Sequence, residues 1–192
     1  RSCFLEKCEC DMIKLIFFIR EVLSGPKESD GPSQWFNKYG ELQAKGGYKG
    51  GKQHGPWEVY HETGHLAFKG NFKDGERDGP WELYYEDGRV KIKGNSREGR
   101  PDGRFERYYD NGQLWERLTY KDGEPEGPFE KFYESGRVCT KGHYKDGKPD
   151  GFWEYYYVSG KLKRRGGFKD RERDGLWEYF DENGQLKNSR SF

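Results

Sequence analysis

Aliphatic side chains are scarce in this chain of 192 residues. Leucine, isoleucine and valine together number 20, against 33 phenylalanine, tyrosine and tryptophan residues, so most of the apolar surface available for burial is aromatic. Disordered chains are poor in aromatic residues and usually carry a high net charge, whereas this chain has a formal net charge of +1. The composition therefore predicts a folded, thin and largely solvent-exposed β structure without a thick core.

An excess of charge of one sign is also absent, because 35 lysine and arginine residues face 34 aspartate and glutamate residues. A general nucleic-acid-binding protein needs a strongly basic domain or face, so no nucleic-acid partner is expected. A lipid-surface module is also less favoured at this net charge, which leaves membrane association with weak support.

Cysteine is rare, with Cys3, Cys8 and Cys10 near the start of the chain and Cys139 far from them. The first three are candidate metal ligands or disulfide partners. No second ligand group with zinc spacing follows them, so no metal site is predicted. Cys139 stands alone and is expected to be a small filler on a strand.

Long hydrophobic runs are absent too. The apolar run that follows Met12 is too short to span a bilayer, and Arg20 and Glu21 interrupt it before any small-residue cleavage site. Two alternatives stay open. Either Met12 begins a signal peptide and the protein is exported, or the run caps the repeats that follow and the protein is cytoplasmic. Residues 1–30 are expected to be a nonrepeating extension that ends in a linker rich in glycine, proline and serine.

A 24-residue repeat fills the rest of the chain, residues 31–192. Its copies begin at Gly31, Gly55, Gly79, Gly103, Gly127, Gly151 and Gly175, with no insertion or deletion between them. A fixed period of this length is typical of an array of supersecondary units. Positions within each copy are numbered here from 1 to 24, position 1 being that glycine.

Each copy has the pattern of a β-hairpin. Position 6 is aromatic, position 10 is glycine and position 12 is leucine or valine in all seven copies. Such segments, joined through a glycine and followed by a Gly/Pro/Asp loop, predict a strand near positions 2–8, a tight turn at 8–10 and a strand near 11–19. A longer connection then leads to the next copy. The predicted fold is all-β, an elongated sheet of seven successive antiparallel hairpins with about fourteen strands.

The turn type decides which residues face one another. A two-residue type I′ turn needs positive φ at position 9, where Tyr39, Thr63 and Ser135 resist that conformation. A type I turn closed by a bulge glycine needs it only at position 10. We therefore predict the three-residue loop, which sets position 6 opposite position 12. The other turn would set position 4 opposite position 15, as in Glu58 with Lys69, and these rows predict a solvated charge ladder rather than acid–base chemistry.

Two spacings recur through residues 31–192. They are G-x-W-E-x-Y-Y-x-x-G-x-L, as in Gly151 to Leu162, and K-G-x-Y-K-D-G-x-x-D-G, as in Lys141 to Gly151. These motifs resemble the MORN repeat, in the variant form found in many bacterial proteins that include antitoxins of the YwqK type. The resemblance implies an elongated sheet of hairpins that binds proteins or, in some eukaryotic members, approaches lipid. The antitoxin type implies neutralisation of a partner toxin by binding.

No cluster of reactive side chains stands out from the repeat. An enzyme needs a nonrepeating set of reactive groups in a pocket. His61 and His65 flank one turn, but other copies carry no metal ligands there, so both are expected to be surface histidines. We predict no catalytic, cofactor-binding or metal-binding residue and a protein that is not an enzyme.

Departures from the repeat supply the candidate partner-binding residues. In the fourth copy, a tryptophan occupies position 13 and a leucine replaces the usual glycine of position 16; exposed, they would form a contact patch, and packing on a neighbouring repeat explains them equally well. The sixth copy sets basic residues beside aromatic ones, and its acidic residues are expected to neutralise them. The candidates are Trp115, Leu118, Trp153, Tyr155, Tyr157, Arg164 and Arg165.

The sequence thus predicts a noncatalytic repeat scaffold that binds a protein partner of unknown identity, with a toxin as one such partner. The alternative is an exported or envelope-associated structural repeat protein.

Overall fold

A computed structural model describes residues 30–192, so Cys3, Cys8, Cys10 and the segment after Met12 lie outside the described residues. The described chain forms one antiparallel sheet of seventeen strands. The strands are β1 Gly31–Phe36, β2 Leu42–Lys49, β3 Lys52–Gln53, β4 Gly55–Tyr60, β5 Leu66–Lys73, β6 Glu76–Tyr84, β7 Val90–Arg97, β8 Arg100–Pro101, β9 Gly103–Tyr108, β10 Leu114–Lys121, β11 Glu124–Pro125, β12 Gly127–Phe132, β13 Val138–Lys145, β14 Lys148–Tyr156, β15 Leu162–Lys169, β16 Glu172–Phe180 and β17 Leu186–Ser191.

The strands follow one another across the sheet in chain order. Three of them, β3, β8 and β11, have two residues each and continue after a single residue into the next strand. The described chain therefore crosses the sheet fourteen times, two strands for each of seven hairpins, which confirms the predicted fold. There is one hairpin for each copy of the repeat. Hairpins one to seven consist of β1 and β2, β4 and β5, β6 and β7, β9 and β10, β12 and β13, β14 and β15, and β16 and β17.

The turn within each hairpin has the predicted three-residue form. In hairpin four, the amide of Gly112 donates to the carbonyl of Tyr109 at 3.0 Å, and the amide of Tyr109 donates to the carbonyl of Gln113 at 2.8 Å. Gly112 has a φ of +83°, which a glycine adopts without strain. Tyr108 then pairs with Leu114, which confirms the contact of position 6 with position 12.

The connection between hairpins is shorter than the sequence predicted. In place of a long loop after Lys145, a two-residue turn at Asp146 and Gly147 brings Lys148 directly opposite Lys145. Both central residues have positive φ, of 49° and 71°, so this turn is of type I′. The prediction was wrong because aspartate tolerates the left-handed conformation better than most side chains, so the turn begins before the glycine.

A bulge at position 13 gives the hairpins a second register. In hairpin two, Tyr60 pairs with Leu66, while Glu58 pairs with Lys69. The sequence predicted these two pairings as products of alternative turns, and this prediction was wrong, because the extra residue Ala67 in the second strand lets both occur. Side chains at odd positions of the first strand then share one face with positions 13, 14, 16 and 18 of the second.

Tryptophan rings lying on glycines form the core of this single-layered sheet. The ring of Trp177 covers Gly166 so closely that a Cβ atom there would lie 2.4 Å from the ring, and Trp153 covers Gly142 in the same way at 2.2 Å. Both tryptophans are buried. Because glycine brings the ring flat against the backbone, the sheet buries aromatic surface without a second layer of structure.

Candidate functional site

The two faces of the sheet differ in chemistry. We call the face with positions 3, 5, 13, 14, 16 and 18 the aromatic face, because its rings contact one another along the array, as Trp57 does with Tyr48 and Phe72. We call the face with positions 2, 4, 6 and 15 the ladder face. It carries the ion pairs Lys45–Glu58, Lys69–Glu82, Lys93–Glu106, Arg117–Glu130, Lys141–Glu154 and Arg165–Glu178.

The ladder face joins successive hairpins. Lys69 of hairpin two reaches Glu82 of hairpin three at 2.9 Å, although Lys69 lies opposite Glu58 in its own hairpin. The predicted charge ladder is therefore present, but its ion pairs run between repeats rather than within them. Position 4 of the first copy is Gln34 and position 15 of the last is Ser189, so neither end of the ladder within residues 30–192 carries an unmatched charge.

The cation of each pair matches the ring beside it. Where position 15 is lysine, position 6 of the next hairpin is tyrosine, and the tyrosine hydroxyl also donates to the glutamate in three of the four cases, as Tyr84 does to Glu82. Where position 15 is Arg117 or Arg165, that ring is phenylalanine. A guanidinium supplies several donors to one carboxylate, so the tyrosine hydroxyl becomes dispensable. All six junctions follow this rule, which marks the ladder face as structural.

Glu106 is the most strongly held carboxylate of the ladder. Burial alone would raise its pKa, but hydrogen bonds from Lys93, Tyr108 and Arg104 together lower the pKa to about 2 from its ordinary 4.5. The Lys93 ammonium lies 2.9 Å away and the Tyr108 hydroxyl 2.7 Å away. This carboxylate stays ionised and fully engaged, so it serves the sheet rather than proton transfer.

The central row of the aromatic face, made of positions 5 and 14, changes character along the array. In hairpins one to three this row is apolar: Trp35, Ala44, Val59, Phe68, Leu83 and Ile92. In hairpins four to seven it is mostly polar: Arg107, Glu116, Lys131, Thr140, Tyr155, Arg164, Tyr179 and Asn188. Neighbouring members pair across the strands throughout, so the substitution occurs at equivalent places in one row.

In hairpin four, the structure separates the two candidate residues. Leu118 is buried opposite Phe105 and belongs to the core cluster, so it presents no surface to a partner. Trp115 is half-buried on the aromatic face, with the Arg107 guanidinium 5.6 Å and the Lys131 ammonium 4.9 Å from its ring centre. The Nε atom of Arg107 is buried without a hydrogen-bond partner among the described residues.

In hairpin six, the aromatic candidates also have different surroundings. Trp153 is buried in the core. Tyr157 is half-buried beside the turn, where its hydroxyl donates to the carbonyl of Phe180 in the next hairpin at 2.9 Å. Tyr155 is half-buried in the central row. Burial raises the pKa of its hydroxyl above the ordinary value, although the nearby charges of Arg164 and Arg173 oppose this shift.

The two arginine candidates lie on opposite faces. Arg165 belongs to the ladder face, where its Nε atom donates to Glu178 at 2.6 Å. Arg164 belongs to the aromatic face, 4.1 Å from the Tyr155 ring centre. The predicted neutralisation by the acidic residues of this copy does not reach Arg164, because no ion pair within residues 30–192 involves it; Glu154 is engaged by Lys141 on the other face and Asp170 by Lys148.

The arginine patch, defined as Tyr155, Arg164, Arg173 and Tyr179, is the candidate site that these contacts form. Nη1 of Arg173 donates to the hydroxyl of Tyr179 at 2.9 Å. Sequence reasoning missed Tyr179. Comparing position 5 across the copies would have found it, because tyrosine occurs there only in hairpins six and seven.

Other kinds of site find little support in residues 30–192. No group of three or more histidine, cysteine, aspartate or glutamate side chains in this part of the chain could hold a metal ion. His61 and His65 contact the backbone carbonyls of Tyr84 and Glu86 in the next hairpin, at 3.1 and 2.7 Å. Cys139 is buried in β13, as predicted. Residues 30–192 contain no helix that is long and apolar enough to span a membrane.

Comparison with protein families matches the MORN repeat variant to residues 53–74, 77–97, 101–122, 125–146 and 173–192, which together make up more than half of the chain. Hairpin six, which contributes Tyr155 and Arg164, lies outside these matches. No curated protein matches the chain.

Solved structures that match include a mutant of S. aureus TarM in complex with fondaparinux, alpha-GlcNAc-glycerol and UDP, at 6% identity and a TM-score of 0.29. The match covers 78% of this chain and 32% of TarM, so it involves less than half of that protein. At this level of similarity it supports no conclusion about fold or function.

Proposed function

The chain belongs to the family of MORN repeat variants, and on this premise we propose that it is a noncatalytic scaffold that binds a protein partner through the aromatic face of hairpins four to seven. The observation that carries the proposal is the change in the central row of that face. Its members are apolar through Ile92, and from Arg107 onward they are mainly polar or charged.

An apolar central row stabilises such a sheet at a lower free-energy cost than a polar one. Half-burying a charged or hydroxyl-bearing side chain costs free energy unless it is paired, whereas Val59 or Phe68 simply buries apolar area. Hairpins four to seven depart from that solution on the aromatic face, yet they keep the ion-pair ladder on the other face. Departures from the repeat pattern that are confined to one face indicate that this face serves recognition rather than the stability of the sheet.

The exposed chemistry of this face suits a protein surface. Arginine, tyrosine and tryptophan are the residue types that most often dominate binding free energy, and Trp115, Tyr155 and Arg164 are all half-buried and held in place by neighbouring rings or cations. If the resemblance to antitoxins of the YwqK type extends to function, the partner is a toxin that the scaffold neutralises by covering it in the cytoplasm.

Photo-crosslinking from the two faces tests the proposal. One variant carries p-benzoylphenylalanine in place of Lys163, which is exposed on the aromatic face of hairpin six. The matched control carries it in place of Phe152, which is 58% exposed on the ladder face of the same hairpin. We expect irradiation in the native cell to link a protein to the first variant and not to the second.

Two outcomes would overturn the proposal. Crosslinking from residue 152 alone would place the contact on the ladder face. No protein linked from either residue, together with fractionation of the chain with membranes, would favour the envelope-associated structural protein.

A further inference from the structure

Two guanidinium groups approach the same tryptophan ring on the aromatic face of hairpins six and seven. Arg164 lies 4.1 Å from the Tyr155 ring centre and 5.9 Å from that of Trp177. Arg173 approaches the same Trp177 ring to 4.7 Å, and it donates a hydrogen bond to Tyr179. Stacking on these rings holds both cations against the sheet.

The part of the chain that the structure describes supplies neither cation with a counter-ion. Among the ion pairs of residues 30–192, none involves Arg164 or Arg173. The glutamates that precede Tyr155 and Tyr179 in the adjacent strands, Glu154 and Glu178, are engaged on the ladder face by Lys141 and Arg165. Like charges that share a site repel one another, so an external anion would stabilise this arrangement.

We propose that the arginine patch binds the carboxylate groups of an acidic segment in the protein partner. This inference rests on the proposed function, because it assigns the chemistry of the partner to the same face. The incoming carboxylate accepts hydrogen bonds from the guanidinium groups of Arg164 and Arg173, and the hydroxyls of Tyr155 and Tyr179 border the position it takes.

The sheet already forms pairings of this kind on its other face. Arg165, next to Arg164 in β15, binds a carboxylate on the ladder face at 2.6 Å, and Arg117 binds Glu130 through its Nε atom at 2.9 Å. A planar guanidinium is weakly hydrated and forms paired hydrogen bonds to a carboxylate, which suits half-buried sites. The chain's near-neutral charge provides no extended basic surface for a nucleic acid, so a short acidic segment fits better.

Binding of two labelled peptides to the full chain tests the site at low salt. Fluorescence polarisation is measured with hexaglutamate and with hexaglutamine. We expect hexaglutamate alone to bind, and Arg164→Gln and Arg173→Gln each to raise its Kd about tenfold, the effect of losing a hydrogen bond to a charged group. Lys73→Gln removes the same charge at an exposed position in hairpin two and is expected to leave the Kd unchanged. Arg164→Lys keeps the charge, and it should recover only part of the affinity because it lacks the planar fork.

Thermal unfolding of each variant confirms that it is folded before binding is compared. Unchanged hexaglutamate affinity in both glutamine variants, or an equal loss in Lys73→Gln, would overturn the site. Tighter binding of inorganic phosphate or a short RNA than of hexaglutamate would overturn the assignment to an acidic protein segment.

The proposed function and this site fail in different ways. If the residue 163 crosslinker captures a partner equally well in the presence and absence of Arg164→Gln and Arg173→Gln, the site is wrong and the scaffold function stands. If the unchanged chain captures no partner, the scaffold function is wrong, and the peptide titration still decides whether the patch binds carboxylates.

Discussion

Arg164 and Arg165 follow one another in β15 and lie on opposite faces of the sheet. The Arg165 guanidinium binds Glu178 on the ladder face, and that contact has an equivalent at every junction between hairpins. The Arg164 guanidinium stacks on Tyr155 on the aromatic face, where no other repeat places an arginine at position 14. One cation therefore holds two repeats together, and the other is available to a partner.

This difference predicts that the same substitution affects stability at Arg165 and not at Arg164. Arg165→Gln leaves Glu178 without its ion pair and should lower the free energy of unfolding by about 0.5–1 kcal/mol, since both groups are partly exposed. Arg164→Gln should change it by less than about 0.5 kcal/mol, because no ion pair is lost. Urea unfolding followed by tryptophan fluorescence measures both. Equal losses from the two variants would contradict the assignment of faces.

The leucine of hairpin four predicts a compensating pair of substitutions. Leu118 is accommodated opposite Phe105, with Phe129 at the equivalent position of the next hairpin, whereas Gly142 lies under the larger ring of Trp153. Gly142→Leu should destabilise the chain by about 1–3 kcal/mol through overpacking. Adding Trp153→Phe should recover part of this loss, although Trp153→Phe alone also destabilises. A double-mutant cycle of unfolding free energies measures the coupling, and simple additivity would show that ring size does not limit position 16.

A strained turn residue predicts a stabilising substitution. Arg171 has a φ of +76° in the type I′ turn between β15 and β16, where the five equivalent turns have glycine. Arg171→Gly should raise the free energy of unfolding by about 1 kcal/mol, because glycine adopts this conformation without strain. Arg171→Ala removes the same charge but keeps the strain, so it should not stabilise the chain. Equal melting temperatures for the two variants would attribute any effect to charge instead.

The repeat predicted the hairpins, the bulge glycine and the pairing of position 6 with position 12 because these depend on local backbone conformation. It did not predict which side chains share a face. The extra residue at position 13 shifts the alternation of the second strand, so the faces of Arg164 and Arg165 depend on a bulge that turn chemistry alone does not reveal. The contact between repeats was missed for a related reason: Lys69 lies opposite both Glu58 and Glu82, and only side-chain geometry selects the second.

The depressed pKa of Glu106 predicts loss of stability in acid. Its folded-state value of about 2 lies below the ordinary 4.5, so the ionised form contributes its full stabilisation above pH 4.5 and loses it as the pH falls towards 2. The Glu106 side chain is only 5% exposed, and the contribution is about 3 kcal/mol at most. Glu106→Gln should therefore be less stable than the unchanged chain at pH 7, and the difference should shrink between pH 4.5 and pH 2.5.

Melting temperatures measured across that range in the two chains check the effect. Glu182→Gln removes an exposed carboxylate from a turn and serves as the control. A difference between Glu106→Gln and the unchanged chain that stays constant down to pH 2.5 would mean that the Lys93 and Tyr108 contacts do not hold the Glu106 carboxylate in its ionised form.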